Sequence, residues 1–224
     1  DEMRNIYTGV TMLYDLVPGV SILPVVSRID AFTGNVYFLD TLPGGTGVTG
    51  VEFDTICEQI FVGNLDDGTI YRMDPLSGVT LSTFDPLAAD NGASGMAPLG
   101  QRILGLGFNH VENRLYYAMW NSDFNKTGIR NTIRSVDIDP ITCDFLPATD
   151  QEQLQLPWTS EYGDPGNPDD YSMPVGDIEF SADAGTMLLA ESGFDSDGPR
   201  ARPHESRVLR YTGSSGSWTL QTTV

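Results

Sequence analysis

The side chains able to do chemistry are few and dispersed. Of the two histidines, His110 falls in a predicted turn and His204 lies in a loop between Arg202 and Glu205. No Gly-x-Ser-x-Gly elbow exists to activate a nucleophile. One fragment suggests metal chemistry. Asp195-Ser196-Asp197-Gly198, with Glu205 beyond it, has the alternating carboxylates of a calcium loop but lacks its full spacing. Asp195, Asp197 and Glu205 are therefore the candidate ligands of a Ca²⁺ ion, the one cofactor the sequence suggests. A solvated acidic loop is the default for the stretch Asp164 to Asp170. Zinc-ligand spacings and phosphate-cradling glycine loops are missing, and Gly44-Gly45-Thr46-Gly47 reads as a turn. No catalytic residue is assigned.

Recognition chemistry has more material. Several loops set aromatics beside carboxylates, a pairing that suits carbohydrate or protein ligands. The candidate binding face comprises Asn64, Asp66, Trp120, Asn121, Asp123, Trp158, Tyr162, Glu191, Asp195 and Asp197. Each aromatic has a plainer reading as a pin holding its loop to the core. Asn125-Lys126-Thr127 is a glycosylation triplet in one of these loops.

Composition narrows the partners. The 224 residues carry a formal charge of −19, with Lys126 the single lysine. So acidic a surface repels nucleic acid and anionic membrane. It fits an extracellular or salty habitat, or a biased genome composition. No 18-residue apolar run exists to insert into a membrane. Asp1-Glu2-Met3 reads as a mature start from which a leader could have been removed, so the expected location is extracellular or at the cell surface.

The elements that must position these loops emerge from internal repetition. Three windows align without gaps: Phe53 to Val62, Phe108 to Tyr117 and Phe180 to Leu189. Each reads as a strand end, a polar turn and an apolar strand. A second element follows them. Arg72-Met73-Asp74-Pro75-Leu76-Ser77-Gly78 matches Arg28-Ile29-Asp30-Ala31-Phe32-Thr33-Gly34 in residue type. Ile138 to Cys143 is a third copy with Cys143 in the glycine slot, and Leu209 to Gly213 is a looser fourth. Each unit therefore holds four short strands, A to D, joined by tight A–B and C–D turns. Such a sheet cannot bury both faces alone, and stacking units radially covers them. Gly105, Gly107 and Gly176 are expected where inner strands crowd the axis.

The run from Pro174 to Ser192-Gly193, followed by Ser206-Arg207-Val208-Leu209-Arg210-Tyr211, resembles blades of the NHL, YVTN and gluconolactonase-type β-propellers. The likeness extends over about residues 26 to 224, with the family's Pro-Asp-Gly turn reduced here to Ala182-Asp183-Ala184-Gly185. It implies an all-β propeller of four-stranded antiparallel blades, partial or with few blades. The expected units are 1–43, 44–98, 99–173 and 174–224. A β-sandwich is the rival architecture.

Lactonase-type relatives hold a metal over the channel with carboxylates and amides at inner-strand ends. Here those positions are Asn64, Met119 and Glu191. Met119 breaks the ring, with Asn121, Glu52, Asn109 and Asp177 as further candidates.

On this alignment the B–C loops are 64–69, 120–132 and 191–205, and the D–A connections include 85–101 and 146–174. All the long connections then share one face, where binding usually resides. Cys57 and Cys143 fall on the opposite, tight-turn face. They fit one disulfide between neighbouring units or two free thiols, since one lies near an inner strand and the other near an outer one. Two functions remain. One is a non-catalytic module binding protein or carbohydrate, with self-association or further blades of the same polypeptide covering its open faces. The other is a metal-dependent hydrolase or lyase.

Overall fold

A computed structural model describes residues 5–9, 24–44, 47–87, 97–123, 128–158, 172–193 and 206–223. Every regular element among them is a strand. Turn chemistry sets the boundaries. Asp30, Asp74 and Asp139 each accept two backbone N–H bonds from the residues two and three positions on, closing an Asx turn. The backbone reverses four residues on at a left-handed residue, Gly34, Gly78 or Cys143, with φ of 71°, 76° and 61°. Asp54 and Asn109 cap the other class of turn in the same way, each receiving two backbone N–H bonds. These repeated turns are why the sequence periodicity becomes a repeating hairpin.

Four antiparallel sheets result. The first holds β1 (Ile6–Gly9), β2 (Val25–Ile29) and β3 (Val36–Thr41). The second runs β4 (Val48–Asp54), β5 (Gln59–Asn64), β6 (Ile70–Met73) and β7 (Thr80–Phe84). The third runs β8 (Arg102–Asn109), β9 (Arg114–Trp120), β10 (Thr132–Ile138) and β11 (Phe145–Gln155). The fourth runs β12 (Val175–Phe180), β13 (Thr186–Glu191), β14 (Val208–Thr212) and β15 (Thr219–Thr223). In each sheet spatial order follows chain order.

The register identifies β1. Ile6 pairs with Ile29 as Ile60 of β5 pairs with Met73, and as Met187 of β13 pairs with Tyr211. β1 therefore occupies the second-strand position, and no inner neighbour for it lies among the described residues.

One boundary differs from expectation. The stretch from 146 opens not as a connection but as the long outer strand β11, and the connection starts only after Gln155. β11 shows solvent a mostly polar edge, includes Pro147, and slips register against β10 twice. A bulged, solvated edge strand has neither the apolar run nor the alternation that marks a strand in sequence.

The sheets stack in chain order, each on its predecessor, rather than as two facing layers. Alternation directs successive residues to opposite neighbours. In β9, Leu115, Tyr117 and Met119 join Phe61, Ile70 and Phe84 of the second sheet in one buried cluster. Tyr116 and Ala118 face the other way, into a cluster with Val175, Ile178, Met187 and Leu189 of the fourth. Val26, Leu39, Val48 and Ile60 form the contact between first and second sheets.

Inner strands approach closely where glycine permits. A Cβ on Gly105 would sit 2.8 Å from Asp177 N, and one on Gly107 would collide with the Ile178 carbonyl. Gly176 lies in the same approach, its carbonyl carbon 3.0 Å from where a Cβ on Gly105 would sit, and its own missing Cβ makes room for the Ser192 hydroxyl.

A Cys57–Cys143 disulfide joins the β4–β5 turn to the β10–β11 turn of the next sheet, with Cα atoms 5.9 Å apart. The offset between inner and outer strands is thus bridged. The Gln59 amide reinforces the same seam by donating to the Asp54 carboxylate and to the Cys143 carbonyl, both at 3.0 Å.

Candidate functional site

Strand polarity decides where the connections go. Val48 pairs with Asn64, Gly63 with Ile70, and Ile70 with Phe84, so four strand ends meet at one edge of the second sheet. Arg102–Trp120, Met119–Thr132 and Thr132–Gln155 repeat this in the third, and Val175–Glu191 and Ala190–Val208 in the fourth. The connections 65–69, 85–101, 121–131, 156–174 and 192–207 therefore leave from one rim. Among the described residues, the opposite rim carries short turns.

The rim residues singled out in the sequence act mainly as anchors. Asn64 is fully buried; its amide donates to the Pro43 carbonyl at 2.9 Å and its oxygen accepts the Asp66 N–H. Asp66 accepts the Gly47 N–H at 3.2 Å. The Trp120 indole is buried, donates to the Ser122 carbonyl at 2.9 Å, and lies under the Arg102 guanidinium. Asn121 donates to the Arg130 carbonyl and the Thr132 hydroxyl. Asp123 is buried. Trp158 is half-buried under the Arg130 guanidinium, 4.5 Å from the ring centre. Glu191 is buried and ion-paired with Arg207 at 2.6 Å; burial raises its carboxyl and the arginine opposes that. Tyr162, Asp195, Asp197, Glu205, His204 and the Asn125–Thr127 triplet lie outside the described residues.

The residue that ties this rim together was not singled out in the sequence. Buried Asn131 accepts the N–H groups of Asn121 and Ser122 on its side-chain oxygen, at 2.7 and 2.9 Å. Its side-chain amide donates to the Ser172 carbonyl at 2.6 Å, and its backbone N–H donates to the Ser172 hydroxyl. One side chain thus locks two connections, 121–131 and 156–174. An asparagine immediately before a strand is a common turn residue, so nothing distinguished it in the sequence.

A second feature lies along the inner strands. Glu52 of β4, His110, and Ile178 and Glu179 of β12 line a cavity of about 170 Å³ near the tight-turn rim. Burial first, and the neighbouring Glu179 carboxylate second, push the Glu52 carboxyl up to about 8, against a backbone hydrogen bond from Phe108. Burial and then Asp177 raise Glu179, and burial raises Asp177. Asp177 and Glu179 stand two apart on one strand, which puts both on one face; Glu179 was not singled out in the sequence, and that alternation is the signal that could have found it. Asn109 closes its own turn, and the His110 ring contacts the Ala182 carbonyl at 3.0 Å. Among the described residues, no three carboxylate, histidine or cysteine side chains converge as a metal site.

No family model and no curated protein matches the chain by sequence. Solved structures match it by shape. A nidogen/laminin complex superposes with a TM-score of 0.50 at 14% identity, over 88% of this chain and 56% of that one. The WD40 repeats of RRP9 superpose with a TM-score of 0.51 at 12% identity, over 88% and 49%. The fold is a β-propeller. Its sheets are blades, β4, β8 and β12 are inner strands, and the chain spans about half the length of the propellers it resembles.

Proposed function

We propose that the chain is a non-catalytic propeller module that binds a protein or carbohydrate ligand through its elaborated rim. The observation that carries this reading is the gathering of the long connections at one end of the blades, over anchors that hold them in place. Long connections on a rigid scaffold are where recognition usually resides. The Arg130–Trp158 stack offers a cation and an aromatic plane at that rim. Protein recognition has a precedent of shape in the nidogen/laminin structure. An extracellular location is supported by the disulfide, since such bonds persist in oxidising compartments.

The test is a binding screen against a glycan array and a panel of extracellular matrix proteins, followed by rim variants. Arg130→Ala with Trp158→Ala should weaken a hit at least tenfold. Ile141→Ser, on the exposed tight-turn rim, should not. Sensitivity to Ile141 with indifference to the rim pair would overturn the reading.

The second reading, a metal-dependent hydrolase or lyase, draws on the raised carboxyls of Glu52, Asp177 and Glu179. Calorimetric titration with Ca²⁺ separates the two. Stoichiometric, tight uptake abolished by Glu52→Gln favours the enzyme.

A further inference from the structure

Four turns of the tight-turn rim share an apolar residue that their fold does not require. Ile56 and Leu76 of the second blade, and Val111 and Ile141 of the third, stand two positions beyond the caps Asp54, Asp74, Asn109 and Asp139, and each donates its backbone N–H to its cap. Closing such a turn takes the cap and, four positions on, the left-handed residue, which is Glu58, Gly78, Asn113 or Cys143. The side chain between them only has to tolerate water. Yet these four are apolar and 47%, 52%, 61% and 89% exposed. The first blade repeats the residue type at Phe32, whereas the turns of the fourth carry Asp183 and Ser214 at this position.

The second and third blades have a neighbour on either side, so no missing blade creates this exposure. Single exposed apolar residues are ordinary. The same position filled the same way in four turns of two adjacent blades makes a surface. It is also a rigid one. Cys57 follows Ile56 and Cys143 lies two beyond Ile141, so the disulfide ties the inner tip of one blade to the outer tip of the next. A surface held in this way gives up little entropy on binding.

Charge selects the occupant. Backbone hydrogen bonds hold the carboxyls of Asp74 and Asp139 below the usual carboxylate range, so both are anionic at any physiological pH. Exposed Glu58 adds a carboxylate beside Cys57. The arginines of this rim are already engaged: Arg72 donates to the Thr142 and Cys143 carbonyls, and Arg114 pairs with Asp137 at 2.5 Å. Apolar tips among standing negative charge suit a ligand that is both apolar and cationic. A second copy of the chain is a poor occupant, since each carries a charge of −19.

We propose that the tight-turn rim of the second and third blades is a second docking surface, for a cationic segment of a partner protein whose apolar side chains seat among Ile56, Leu76, Val111 and Ile141. This goes beyond the loop-rim reading, because the two rims lie at opposite ends of the blades and hold different ligands. Ile141, silent toward a ligand of the loop rim, reports on this one.

The probe is a library of short random peptides displayed on phage, selected on the wild-type chain at about 0.15 M salt. Enriched peptides should carry net positive charge and several apolar residues. Once synthesised, they should bind Leu76→Ser/Ile141→Ser at least about tenfold more weakly, because two apolar side chains no longer leave water on binding. Leu76→Met/Ile141→Leu should bind as the wild type does, and so should Arg130→Ala/Trp158→Ala. Both tips are exposed, so the serine variant should keep the wild-type circular dichroism and melting profile. Enriched peptides that are neutral or acidic, or whose affinity ignores the serine pair, would overturn the proposal. So would self-association of the chain in ultracentrifugation that the serine pair abolishes, since a second copy would then be the occupant.

Discussion

Removing the disulfide tests most directly how the blades are held. Cys57 and Cys143 are 86 positions apart, so the bond closes a long loop in the unfolded chain. Loop-closure entropy for a ring of that size is worth about 4.6 kcal/mol at 25 °C. Cys143 holds a φ of 61° that costs a residue bearing a Cβ about 1 kcal/mol, a cost that alanine would share and glycine would not. Two double variants separate the effects. Cys57→Ala/Cys143→Ala loses the crosslink and keeps the strain at position 143. Cys57→Ala/Cys143→Gly loses the crosslink and restores glycine to a slot that Gly34 and Gly78 fill in the other blades. The first should lose about 4 kcal/mol and melt roughly 8–16 °C lower. The second should recover about 1 kcal/mol of that loss. Urea unfolding of all three proteins, followed by tryptophan fluorescence, gives the differences. A loss under about 1 kcal/mol for the alanine pair would refute the loop-closure reasoning. A glycine variant no better than the alanine one would refute the argument about the turn.

Three other expectations concern the channel, the inner strands and the rim. Glu52 binds its proton more tightly folded than unfolded, so stability should fall as pH climbs from about 4.5 to about 8. Glu52→Gln should remove that decline, worth on the order of a few kcal/mol, in melts recorded across the window. Gly107→Ala, whose new methyl would meet the Ile178 carbonyl, should cost about 2 kcal/mol or more in urea unfolding, whereas Gly34→Ala, with open space around it, should cost only about 1. Asn131→Ala leaves the N–H groups of Asn121 and Ser122 and the Ser172 carbonyl without this partner. It should cost about 2–4 kcal/mol, and hydrogen exchange should quicken at 121–131 before it does in β9.

The blades were legible in the sequence because their turns are chemically stereotyped. Asp30, Asp74 and Asp139 open the same Asx turn, and a left-handed residue closes it four positions on, so the motif survives even where cysteine replaces glycine. The apolar strands β5, β9 and β13 stood out because both faces of each blade are meant to be covered. What failed to show was polar structure. β11 is a solvated edge with two register slips, and the Ser192 hydroxyl that also needs the space beside Gly176 left no mark in the sequence.

The candidate site was half visible. Residue type and loop placement selected Asn64, Asp66 and Trp120, but whether such side chains meet solvent or tie down their own loop depends on partners distant in sequence. Asn64 reaches Pro43, 21 positions away, and Asn131 reaches Ser172, 41 away. No local pattern encodes contacts of that range.

The bridge between Cys57 and Cys143 also encloses the whole 85–101 connection. A protease cutting there would nick the polypeptide without releasing either part. The halves would migrate as one molecule until a reductant was added, and would come apart only then. Cleavage at that loop therefore need not end the protein's working life, and the bond lets the chain tolerate injury at its own rim.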